Sequence, residues 1–143
     1  PYFGTIARAD ICVEVGPQSH GTLRASLFEK TEQVVYRYLE LASEWNAGLL
    51  QQKAKKKVTV FTQHKDIDYP RDRNGNISAM IHSNLQNADY AELKPQDPLF
   101  RTFDGKDILF ENDYSVWPLF INEAAYYEKK IAMSTTLKSV EEW

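Results

Sequence analysis

Cysteine is nearly absent: Cys12 is the only one in 143 residues, which excludes an intramolecular disulfide and a cysteine-based zinc knuckle and points to a reducing, cytoplasmic compartment. No apolar stretch approaches the roughly 20 residues that a membrane-spanning helix needs, and the first thirty residues lack the basic, apolar and small-residue zones of a signal peptide. A membrane is therefore not expected as a partner. There is no basic excess either, since 17 Lys and Arg stand against 20 Asp and Glu for a net charge of −3, so nucleic acid is not expected. No internal repeat, P-loop, dinucleotide fingerprint or Gly-x-Ser-x-Gly elbow occurs. The three histidines lack the short spacing to a second ligand that hydrolytic zinc sites show. His20, His64 and His82 therefore read as surface or strand-end residues, and no metal site complete within the chain is expected.

What is present is an ordinary globular composition, 43% apolar and 26% charged, in a length that suits one domain or a small domain carrying a fragment of another. The chain opens with Pro1 in the middle of an apolar, strand-like pattern, so a missing upstream segment is expected. Ile11 to Gly16 reads as a short buried strand, bounded by Asp10 before it and Gly16-Pro17 after it. Alternation places Ile11, Val13 and Val15 on one face and Cys12 and Glu14 on the other. A carboxylate on such a strand costs several kcal/mol unless a cation, metal or donor set faces it. Glu14 is thus either paired with a structural cation or placed at the carboxyl edge of the strand, where α/β sheets keep their ligand crevices and where a general base could act on water.

Leu23, Leu27, Val34, Tyr38, Leu41 and Trp45 recur at helical spacing and predict one amphipathic helix from Leu23 to about Asn46, with Thr22 as an N-cap candidate and Gly48 as the stop. This stripe is expected to be under-covered within the chain, marking an interface with a missing segment or a second copy, so self-association is allowed. Gln51 to Lys57, with four lysines, reads as a linker. The pattern then turns to period two at Val58 to Gln63, followed by a hairpin at Asp72 to Asn76 leading into Ile77 to His82. A second turn at Asp104-Gly105 separates Leu99–Phe103 from Asp107–Phe110, an apolar run spans Val116 to Ile121, and a helix-like tail is predicted from Glu123 to Met133. Pro95, Pro98 and Pro118 argue for edge strands and turns. The second half is expected to be antiparallel and β-rich.

Asn122 to Lys130 gathers two phenols, two carboxylates and two ammonium groups in nine residues. Composition leaves two readings open: an exposed amphipathic turn, or a phenol and a lysine delivered over a pocket to hold a substrate carboxylate or a developing oxyanion.

Several blocks in order carry a family resemblance. Val13-Glu14-Val15-Gly16-Pro17-Gln18 followed by Gly21-Thr22-Leu23-Arg24-Ala25 resembles the glutamate-bearing strand of the aspartoacylases and their relative aminoacylase III. The likeness continues through Asp68-Tyr69-Pro70-Arg71-Asp72, Ile81-His82 with Asn84-Leu85-Gln86, Asp97-Pro98-Leu99-Phe100 and Asp104-Gly105-Lys106, and closes with Asn122 to Lys130. It implies an α+β chain. Residues 1–52 would be the end of a zinc-carboxypeptidase-like α/β catalytic domain, strand plus long helix, and residues 53–143 a β-rich antiparallel C-terminal domain covering the active-site mouth.

The resemblance implies metal-assisted hydrolysis of N-acyl amino acids, N-acetyl-aspartate above all, with one zinc ion whose His-x-x-Glu and later His ligands belong to an upstream catalytic segment. The chain alone would then be inactive. Glu14 would be the general base and Tyr126 the substrate-binding phenol; Lys129, Lys130 and His20 would lie around the substrate. Two departures bear on substrate preference. His20 stands where the family has Gln before Gly21, and the family's carboxylate-binding arginine falls on or near Gly4, with Arg8 in a different register. An aminoacylase III-like preference for N-acyl aromatic amino acids is the alternative within the class, and a non-enzymatic β-rich interaction module the alternative outside it.

Overall fold

A computed structural model of the chain describes residues 11–13, 18–19, 21–50 and 55–142. The chain divides into two compact units, Pro1–Ala54 and Lys55–Trp143.

The first unit is organised by one helix, α1 (Ala25–Asn46). It starts two residues later than the apolar spacing suggested, because Thr22 does not cap it. The Thr22 hydroxyl instead donates to the Ser19 carbonyl at 2.7 Å within a turn where Gly21 adopts φ +75°. Arg24 takes the N-cap position in extended backbone and makes no side-chain capping bond. The first turn holds no acid and the last turn no base, so neither end of the helix dipole is compensated. Gly48, at φ +72°, follows the C-cap as expected. On the outer face the Arg37 guanidinium pairs with Glu40 at 2.8 Å and Glu44 at 3.9 Å.

No residue of α1 is buried: Leu27 and Leu41 are half-covered, Trp45 is 65% exposed, and Leu23 before the helix is 100% exposed. The apolar stripe is thus under-covered, as expected. Of the strand expected over Ile11 to Gly16, only Ile11, Cys12 and Val13 are among the described residues, and they carry no regular structure.

The second unit contains two three-stranded antiparallel sheets and holds the core. One sheet runs in the order β1 (Lys57–Ile67), β6 (Met133–Glu142), β5 (Trp117–Leu119). The other runs β2 (Ala79–Ile81), β3 (Pro98–Thr102), β4 (Asp107–Leu109). Ile81, Leu93, Phe100, Phe110, Val116 and Met133 are among the apolar side chains buried in this core. The prolines sit where a missing N–H costs no ladder bond: Pro98 opens β3, and Pro118 lies in the edge strand β5.

Several expectations are corrected here. The basic segment up to Lys57 is not wholly a linker, since Lys57 opens β1 opposite Glu142. The hairpin at Asp72 to Asn76 has a well-made tip: Asp72 accepts the N–H groups of Asn74 and Asn76, both at 2.8 Å, and Gly75 supplies φ +84°. Its arms are a single bridge long, Arg71 to Ile77, because β1 takes β6 as its partner instead. The helix-like tail from Glu123 to Met133 is replaced by one 3-10 turn, Ala124–Tyr126, and Met133 already belongs to β6. Its N–H groups bond to carbonyls three residues back, as Tyr126 does to Glu123 at 2.9 Å, and Lys130 leaves the helical region at φ +59°. A stretch this short, without an apolar helical face to bury, does not sustain a helix.

β6 carries no apolar alternation, and it holds because its hydroxyls are paired. Ser134, Thr135 and Thr136 are buried, and they donate respectively to the Asp66 carboxylate at 2.6 Å, the Lys65 carbonyl at 2.7 Å and the Trp117 carbonyl at 2.6 Å. The β1 register shifts between Gln63 and Lys65, and the intervening His64 meets the Tyr114 hydroxyl at 2.8 Å. Of the two readings open for His82, surface or strand-end, the structure gives the second, since it directly follows β2 and is buried. It is 5% exposed, its Nδ1 accepts the Asn84 N–H at 3.3 Å to cap the 3-10 turn Ser83–Leu85, and Arg101, itself paired with Asp107, lies against Nε2 at 3.1 Å.

Candidate active-site loop

Between β5 and β6 the chain makes a loop whose neck is closed by one backbone bond and anchored by another. The Asn122 N–H donates to the Ala132 carbonyl at 2.9 Å, and the Ala132 N–H donates to the Ile67 carbonyl at 2.7 Å, tying the loop's exit to the end of β1. Such a closed-neck loop is the Ω type. Phe120, Asn122 and Lys130 all take positive φ, 54°, 62° and 59°. Non-glycine residues in this region store backbone strain, and they cluster at ligand-binding and catalytic sites.

Tyr126 stands in the 3-10 turn near the middle of this loop. Its half-buried ring meets Phe120 edge to face, centroids 5.8 Å apart at 70°, and the Lys129 ammonium lies 5.2 Å from its centroid. Among the described residues no hydrogen bond holds the Tyr126 hydroxyl. Phenol and ammonium are thus held side by side, one able to donate a hydrogen bond and the other to pair with a carboxylate.

The two lysines part company. Lys129 rides on Tyr126, whereas Lys130 contributes to the field at Asp68. The Asp68 carboxyl is held below the usual carboxylate range, first by its hydrogen bonds from Arg71 and then by the Tyr69 N–H and the charges of Arg71 and Lys130, against some desolvation. Arg71 grips it in two-pronged fashion, Nε at 2.8 Å and Nη2 at 3.0 Å.

Beneath the loop lies a group that sequence reasoning did not single out. The Tyr69 and Tyr127 hydroxyls both donate to Asn122 Oδ1, at 2.6 and 2.9 Å. Their rings meet edge to face at 5.4 Å and 86°. Tyr69 is buried, and burial first, then the neighbouring Tyr127 phenol and the Asp68 carboxylate, push its ionisation upward, so it remains a donor throughout the physiological range. Asn122, an amide able to tolerate left-handed backbone, was the available signal.

Of the residues singled out in the sequence, Tyr126, Lys129 and Lys130 therefore share one loop, and Tyr126 and Lys129 are in contact. Glu14 and His20 lie outside the described residues. Among the described residues no three His, Cys, Asp or Glu side chains gather where they could hold a metal ion, so these residues do not by themselves form a zinc site.

The unit Lys55–Trp143 is thus a small antiparallel β domain that presents a phenol and an ammonium on a strained, closed loop. Residues 56–138 match the family model of the AstE/AspA barrel-sandwich hybrid domain, and the chain belongs to this family. It is 45% identical over 134 residues to an aspartoacylase of Xenopus tropicalis, covering 94% of this chain and 42% of that protein. A probable aspartoacylase of Trichodesmium erythraeum is 42% identical over 137 residues, covering 96% of this chain and 46% of that protein. The mouse N-acyl-aromatic-L-amino acid amidohydrolase (carboxylate-forming) is 38% identical over 128 residues, with 90% of this chain and 40% of that protein covered. In structure the chain is similar to murine aminoacylase 3, with TM-score 0.85 and 35% identity over 96% of this chain and 45% of that one. The chain spans somewhat under half the length of each of these relatives.

Proposed function

We propose that this chain is part of a zinc-dependent amidohydrolase that cleaves N-acyl amino acids, with N-acetyl-aspartate as the first substrate to test. The observation that carries the reading is the pairing of Tyr126 with Lys129 on a strained loop inside the family domain. Relatives named as aspartoacylases, at 42 to 45% identity, support the aspartyl substrate. The likeness to the mouse aromatic amidohydrolase, at 38% identity, favours a second reading in which the amino acid is aromatic.

In this mechanism the chain's own groups do three things. Glu14 takes a proton from the attacking water as it adds to the acyl carbonyl, then returns it to the amine nitrogen as the C–N bond breaks. Tyr126 donates a hydrogen bond to the bound substrate, and the Lys129 ammonium pairs with a substrate carboxylate. This reading also assigns His20 and Lys130 to substrate binding, with Lys130 contributing to the field at Asp68 as well. The zinc ion, with ligands supplied outside these 143 residues, would make the attacking water more acidic. A cytoplasmic setting, and either a catalytic segment or a second copy of the chain covering the α1 stripe, belong to this proposal.

The test is release of free amino acid from N-acetyl-aspartate and N-acetyl-tyrosine by the zinc-loaded full-length protein. Glu14→Gln is expected to lower kcat by on the order of 10² or more, as loss of a general base does. Tyr126→Phe is expected to lose about 1 to 3 kcal/mol of binding or transition-state stabilisation, the scale of one hydrogen bond to a charged group. Full turnover by the Glu14 variant overturns the mechanism, and preference for N-acetyl-tyrosine selects the aromatic reading.

A further inference from the structure

We propose that Asn122 is a positioning residue: its side-chain carbonyl, by accepting both the Tyr69 and the Tyr127 hydroxyls, sets the loop that carries Tyr126. The inference rests on the reading of Tyr126 as a substrate-binding phenol, and it gives a role to a residue that takes no part in the chemistry of the reacting groups.

The two phenols approach Asn122 Oδ1 at 2.6 and 2.9 Å, so both lone pairs of one carbonyl oxygen are engaged. One donor is anchored and the other is carried by the loop. Tyr69 is buried, and its ring packs against Phe100 of β3 at 6.0 Å. Tyr127 is half-exposed and is the immediate neighbour of Tyr126. Asn122 thus links the core to the residue beside the functional phenol. The same residue closes the loop's neck through its backbone N–H and takes the left-handed conformation that turns the chain into the loop. An amide carbonyl supplies two acceptors without adding a negative charge near a site meant for a carboxylate.

Glycine at position 122 separates backbone from side chain, because it accepts φ +62° without strain and removes the side chain, its carbonyl included, while keeping the N–H that closes the neck. In the zinc-loaded full-length protein, Asn122→Gly is expected to lower kcat/KM by on the order of tenfold or more, the effect of misplacing a binding group by a fraction of an ångström to an ångström. In a Tyr126→Phe background the same change is expected to cost less than about twofold, because the group it positions is already gone. Asn122→Asp, which keeps both acceptors, is expected to recover most of the loss in kcat while raising KM. Hydrogen exchange is expected to rise across residues 123 to 131 and to stay unchanged in β1 and β6. If Asn122→Gly does not fold, Tyr127→Phe cuts the exposed arm alone and is expected to show the same dependence on Tyr126.

An Asn122→Gly protein with wild-type kcat/KM and unchanged loop exchange, beside an impaired Tyr126→Phe protein, overturns the positioning role and leaves the reading of Tyr126 intact. Equal losses in both backgrounds, with exchange raised in the strands, also overturn it by showing a general loss of stability. A Tyr126→Phe protein of full activity overturns the reading of Tyr126 itself, and the positioning role with it.

Discussion

Asp68 shows how one side chain can carry both local structure and a pH signature. Its carboxylate receives two bonds from Arg71 and one from the Tyr69 N–H, so it holds the segment after β1 in the shape that delivers Tyr69 to Asn122. Because its ionisation is depressed in the folded chain, the stabilisation is complete above the unfolded carboxyl value of 3.8 and is lost as pH falls through the lower folded value. Denaturation midpoints of the wild type and of Asp68→Asn should therefore differ most at neutral pH and converge below about pH 4, the ordinary aspartate range. A constant gap across that range would mean that the charge of Asp68 does not contribute. The burial of His82 was not legible in the sequence, because its partners Arg101 and Asp107 lie on β3 and β4 and share no local pattern with it.

At the scale of elements, what could be read from the sequence was set by short-range chemistry. The Asp104-Gly105 turn, with strands on either side, and the tip at Asp72 to Asn76 follow from residues whose preferences are satisfied within four positions. The helix was also visible, since its periodicity is internal. β6 was not, because Ser134, Thr135 and Thr136 become core residues only through acceptors on β1 and β5, so their burial is a tertiary fact. The tail failed in the opposite sense: Glu123 to Lys130 has the composition of a helix, but the bonds at Asn122 and Ala132 close it into a loop. Tyr126 and Lys129 were legible as candidates by resemblance, whereas Asn122 needed a partner 53 positions away. Thr135 gives the test at this scale. Thr135→Val keeps the shape and removes the donor to the Lys65 carbonyl, so urea denaturation should show a loss of about 1 to 3 kcal/mol, the cost of an unpaired buried polar group. Thr135→Ser should lose less, and a Val variant of wild-type stability would show that water satisfies that carbonyl.

At the scale of the whole molecule the two units differ in what holds them. Every buried core hydrophobic among the described residues lies between Tyr69 and Met133, inside the unit Lys55–Trp143. That unit carries its own sheets, paired hydroxyls and loop neck, which are the requirements for cooperative folding. The helix has none of these. No residue of α1 is buried, its termini carry no charges that offset the dipole, and isolated helices depend on packing more than on propensity. Residues 55–143 alone should therefore unfold in one cooperative transition, with a midpoint within a few degrees of the β signal of the 143-residue chain. The helical ellipticity of the longer chain should melt gradually and at lower temperature. If an upstream catalytic segment covers the apolar stripe through Val34, Tyr38 and Trp45, as the proposed function holds, the two signals should merge in the full-length protein. A cooperative helix transition in the 143-residue chain itself, independent of protein concentration, would show that α1 is held within it; one that rises with concentration would show that copies of the chain cover the stripe.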